Sequence, residues 1–111
     1  MYRFATIIML ISFAACTKKS VERQTMSPEE LQKRGDMVYH SFCVACHHRD
    51  PHQEGILGPA VTGSSLELLQ ERILHATYPN GYQPKRPTKI MYAIPQIEKD
   101  IPAIHAYLNS N

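Results

Sequence analysis

The sequence predicts an all-α domain of three helices joined by long loops. Three observations carry that reading. Apolar or small residues recur at helical spacing near the start of the domain, in its middle and at its end. No stretch alternates apolar and polar side chains as a half-buried strand does. The remaining stretches, 48–63 and 79–95, are rich in Gly and Pro.

Ser27-Pro28-Glu29-Glu30 is a helix start. Ser27 suits the cap, Pro28 the first helical position, and Glu30 completes a capping box. Leu31, Gly35, Val38, Tyr39 and Phe42 then form one stripe, and the helix runs into Cys43. A middle helix is expected from about Ser65 to Thr77, with Leu66, Leu69, Ile73 and Leu68 on its apolar face and Pro79-Asn80-Gly81 as its stop. Ile101, Ile104, Tyr107 and Leu108 mark a last helix, with Asp100 as candidate cap and Pro102 in the first turn.

The chain has 111 residues and a formal net charge of +2, with 43% hydrophobic and 20% charged residues. That length fits one domain. No basic block exceeds a pair or triplet, which speaks against a nucleic-acid partner.

Residues 1–15 read as a signal peptide: Arg3, an apolar run from Phe4 to Phe13, then Ala14 and Ala15. The run is too short to span a bilayer of roughly 30 Å. Phe13-Ala14-Ala15-Cys16 resembles the lipobox of bacterial lipoproteins, although Phe13 replaces the usual leucine. The resemblance implies cleavage before Cys16, lipidation of Cys16, and an exported, membrane-anchored protein facing the periplasm or cell exterior. An uncleaved anchor and a plain signal peptide are the competing readings. Residues 16–26 are polar and aperiodic and read as a tether. Ten such residues, stretched, reach roughly 33–36 Å. The folded domain then comprises residues 27–111.

Only Cys43 and Cys46 remain, in Cys43-Val44-Ala45-Cys46-His47. There are three readings of this pentad. A thioredoxin-like pair needs a strand-to-helix junction, and no strand precedes it. A zinc site needs a histidine pair at suitable spacing, and His48 and His52 follow too soon. The third reading is c-type haem attachment, the established meaning of C-x-x-C-H. Residues i and i+3 share a helical face, so both thiols can reach one haem, with His47 next in line as iron ligand. A covalent plate also supplements the thin core of a chain this short.

Taken together, 28–108 resembles the small class I cytochromes c. Gly35, Tyr39 and Cys43 repeat the family's Gly, aromatic, Cys order. Gly55 to Gly63, GILGPAVTG, resembles its Gly-Pro loop, and KIMYAIPQIEKDI its methionine loop. The resemblance implies the cytochrome c fold: N- and C-terminal helices crossing at Gly35 and Tyr107, one middle helix, and loops wrapped around a covalent haem. It further implies that the Pro59 carbonyl orients His47 and that Met91 is the second axial ligand. Tyr92 stands where the family commonly has proline, and YPNGYQPKRPTK lengthens the approach to Met91. His75 is the rival sixth ligand. His40, His48, His52 and His105 read as surface residues, and Tyr78, Tyr82 and Tyr92 as candidates for the haem edge.

The expected function is single-electron transfer by one haem c, not enzymatic turnover. The partners would be redox proteins and, through lipid, a membrane. The chain would act as a monomer or as a subunit of a respiratory complex. Lys85, Arg86 and Lys89 are a candidate docking rim for an acidic partner. Two rivals stand beside this: a haem-based gas-binding sensor with a labile distal ligand, and a non-haem metal-binding lipoprotein.

Overall fold

The structure, a computed structural model, describes residues 25–111. The expected signal peptide, Cys16 and nearly all of the expected tether lie outside the described residues. Three α-helices follow one another, with no strand among the described residues: α1 (Pro28–Phe42), α2 (Leu66–His75) and α3 (Ile101–Leu108). A 3-10 helix, Pro95–Asp100, leads directly into α3. No described helix is long and apolar enough to cross a membrane.

The start of α1 is fixed by the reciprocal capping box. The Glu30 amide donates to Ser27 Oγ at 3.2 Å, and the Ser27 amide donates to the Glu30 carboxylate at 2.8 Å. These bonds hold the Glu30 carboxyl below its usual pKa. The helix ends at Cys43, whose amide still bonds the Tyr39 carbonyl at 2.8 Å.

α3 packs on α1 where Gly35 leaves room. A Cβ there would lie 2.7 Å from Tyr107 Cβ and closer still to the Ala103 carbonyl. Tyr39 packs beside this crossing, its ring centroid 5.5 Å from that of Tyr107. Tyr39 is buried, and its hydroxyl donates to the His48 carbonyl at 2.6 Å. Tyr39 and Ile104 are the largest fully buried side chains. Burying each contributes about 1.5–3 kcal/mol. Val38, Leu69, Ile73, Ile94, Ile97, Ile101 and Leu108 complete the core.

α2 is shorter than its sequence suggests. It starts at Ser65, whose Oγ accepts from the Leu68 amide at 3.1 Å, but it stops at His75. Ala76 turns left-handed at φ 55°. The Ala76 and Thr77 amides close the end on the Arg72 and Glu71 carbonyls, so Pro79-Asn80-Gly81 comes after the stop. Leu66 is exposed, and the buried face is Leu69 and Ile73.

Asp100 precedes α3 but caps nothing with its side chain. Its carboxylate instead takes a forked bond from Arg34 of α1, at 2.8 and 3.0 Å. Pro102 sits in the first turn of α3, where its missing amide hydrogen costs no bond. Both ends of α3 are thereby tied down. The Gly63 amide donates to the Leu108 carbonyl at 3.0 Å, and Asn109 donates to the Ser64 carbonyl at 2.9 Å.

Candidate functional site

The pentad extends α1 by one helical turn. The Cys46 and His47 amides both return to the Cys43 carbonyl, at 3.2 and 2.9 Å. Both cysteines are half-buried and are not bonded to each other. Burial, and then the neighbouring Cys46, push the Cys43 thiol up to about 11. That is the opposite of the lowered thiol a redox-active pair requires.

The loop after the pentad folds back on it. The Gly58 and Leu57 amides both donate to the Cys46 carbonyl, at 2.9 and 3.3 Å, and the Gly55 amide donates to the Gly58 carbonyl at 2.9 Å. This lays the loop against the His47 ring. A Cβ on Gly58 would stand 2.5 Å from His47 Cε1 and 2.6 Å from Nδ1. His47 Nδ1 lies 2.8 Å from the Pro59 carbonyl oxygen. A carbonyl only accepts, so Nδ1 carries a proton and Nε2 is the ring nitrogen left for a ligand.

His47 borders an open cleft. Cys43, Cys46, Pro59 and Met91 border the same cleft. Its floor is apolar, with Leu69, Ile73 and Ile104 among its walls. Met91 is half-buried and packs against the core. The rival ligand His75 is exposed and does not border the cleft.

Tyr78, Tyr82 and Tyr92 all reach the cleft. Tyr78 and Tyr82 stack at 5.4 Å, and the Arg72 guanidinium lies 4.2 Å over the Tyr78 ring. Among the other histidines, His48 and His52 are exposed, while His40 and His105 are half-buried. Among the described residues, no group of three or more His, Cys, Asp or Glu is placed to hold a metal ion.

Two features of the site were not anticipated from the sequence. Gly58 shapes the seat of His47, for which GILGPAVTG gave a Gly-Pro loop but no particular glycine. Arg86, expected among the cations before Met91, is half-buried and tied to the loop after the pentad. It donates to the Glu54 carboxylate at 2.6 Å and to the Gly55 and Ile56 carbonyls at 2.7 and 3.2 Å. Lys85 donates to the Ala60 carbonyl at 2.8 Å. Compared with known proteins, the chain matches no family model, no curated protein and no solved structure.

Proposed function

We propose that the chain is a membrane-tethered, single-haem c-type cytochrome with the class I fold, carrying single electrons between redox proteins. One observation carries this reading. Two thiols on a helical turn, an imidazole oriented by a backbone carbonyl, and a half-buried thioether all border one apolar cleft.

That donor set fits an iron porphyrin. Cys43 and Cys46 would hold it by thioether bonds, and His47 Nε2 and Met91 Sδ would be the protein donors to its iron. Bound there, the group supplies a one-electron Fe(III)/Fe(II) couple. The remaining contributions are the chain's own. The Pro59 carbonyl fixes the ring orientation of His47 and strengthens it as a donor. Gly58 lets the loop cover the ring and limits its swing. The soft sulfur of Met91 would favour the reduced metal, and the apolar walls would exclude water. Two protein ligands would leave no open position for a substrate, so the role is carriage rather than catalysis. Removal of residues 1–15 and lipidation of Cys16 would set the domain on a short tether at a membrane facing the periplasm or cell exterior.

Met91→Ala tests the axial pair. The oxidised wild type should show the weak far-red absorption of methionine-ligated ferric haem, and the variant should lack it. The reduced wild type should resist carbon monoxide, which the variant binds readily. An unchanged variant spectrum would exclude Met91 as ligand. Rapid carbon monoxide binding by the wild type would favour the gas-binding reading, and a colourless protein that unfolds with a chelator would favour the non-haem metal reading.

A further inference from the structure

Resting on the haem-binding reading above, we propose that Arg86 is a positioning residue that clasps the Met91 segment onto the loop that seats His47. Among the described residues, 83–93 form no backbone–backbone hydrogen bond and lie in no helix. The first such bond after Tyr82 is that of the Ile94 amide to the Ile73 carbonyl, at 2.7 Å. Met91 therefore sits in a segment that its own backbone does not hold.

The polar ties of that segment come from two side chains, Lys85 and Arg86. All of them land on one short stretch, Glu54 to Ala60. Arg86 makes three of the four, and its planar fork is what allows it to serve a carboxylate and two carbonyls at once. The Arg86 side chain is 27% exposed against 62% for Glu54, so the guanidinium is the half-buried partner. The pair holds the Glu54 carboxyl below its usual pKa, with Arg86 the first cause.

Glu54 to Ala60 is also the stretch that carries Gly58 and Pro59. One loop thus seats the imidazole of His47 and, through Arg86, tethers the segment that carries Met91. Loosening the clasp populates states in which Met91 has left the cleft, while His47 keeps its own hydrogen bond to Pro59.

The test uses the purified full-length protein in four forms: wild type, Arg86→Ala, Arg86→Lys and Glu54→Gln. Haem content, the far-red band, the rate of carbon monoxide binding to the reduced form, and amide hydrogen exchange of 83–93 are measured on each. With haem content equal to wild type, Arg86→Ala should bind carbon monoxide roughly fivefold to tenfold faster, as expected for a charge-assisted clasp weakened by solvent screening. Its far-red band should weaken and its 83–93 amides should exchange faster. Arg86→Lys should recover these properties only in part, since one ammonium cannot span the three acceptors. Glu54→Gln, which keeps an acceptor and a folded loop, should show a smaller change in the same direction. Wild-type exchange and wild-type carbon monoxide kinetics in Arg86→Ala would overturn the clasp. A wild type without haem would overturn the underlying reading instead, and amide exchange would still judge the clasp.

Discussion

Replacing Gly58 by alanine tests how His47 is held. The new Cβ would stand 2.5 Å from His47 Cε1, 2.6 Å from Nδ1 and 3.0 Å from Nε2. Carbon atoms rest at roughly 3.5–4.0 Å, so the ring or the loop must retreat by about 1 Å. Neither retreats freely. The loop is held by the Gly58 and Leu57 amides on the Cys46 carbonyl. The ring is held by the Pro59 carbonyl, one residue from the substituted site. Overpacking of this kind costs about 1–3 kcal/mol. One stretched hydrogen bond adds roughly 0.5–1.5 kcal/mol. A total of roughly 1.5–4.5 kcal/mol lowers the Tm of a domain this small by about 6 °C or more. Thermal unfolding followed by far-UV circular dichroism reads the loss, and, on the proposed haem-binding reading, the visible spectrum reads a displaced His47. Gly63→Ala is the control. It meets nothing within 4 Å but sits at φ 76°. It costs only backbone strain, roughly 1–2 kcal/mol, and leaves the spectrum intact. If Gly58→Ala melted within a degree or two of wild type with an unchanged spectrum, His47 would not be seated by this loop.

Gly35→Ala should separate α1 from α3, because the new Cβ meets backbone at Ala103 and not a movable side-chain tip; a drop in the denaturant midpoint equivalent to about 2–3 kcal/mol is expected. In protein produced without haem attachment, Cys43 should alkylate slowly at neutral pH. The thiolate is the nucleophile, so its rate should climb as pH rises towards about 11. Timed mass spectrometry reads that profile. Cys16→Ser should move the protein from the membrane fraction to the soluble fraction, and persistence in the membrane would contradict lipid anchoring.

Local chemistry made the starts of α1 and α2 legible. Ser27-Pro28-Glu29-Glu30 carries its own capping box, and Ser65 caps α2. The end of α2 was not legible, because the left-handed residue is Ala76 and no glycine announces it. Arg72 compensates by donating to the Ala76 carbonyl at 2.7 Å, a bond no motif signals. The 3-10 helix before α3 was also missed, since six residues bearing one buried apolar side chain, Ile97, leave no periodicity to read. Asp100 looked like a cap because it precedes a helix. Its partner Arg34 is 66 residues away, and long-range pairing is what sequence spacing cannot reveal. The Arg86 clasp spans 32 residues and was hidden for the same reason. The helical turn of the pentad was legible because its five residues are consecutive, and its amides return to one carbonyl.

The central claim is covalent haem at Cys43 and Cys46. Intact and peptide mass spectrometry of the protein exported from cells competent for haem attachment tests it most directly. One haem on the peptide that contains Cys43 and Cys46, with neither thiol alkylatable, is the predicted result. The same peptide recovered unmodified, with both thiols free, would contradict it.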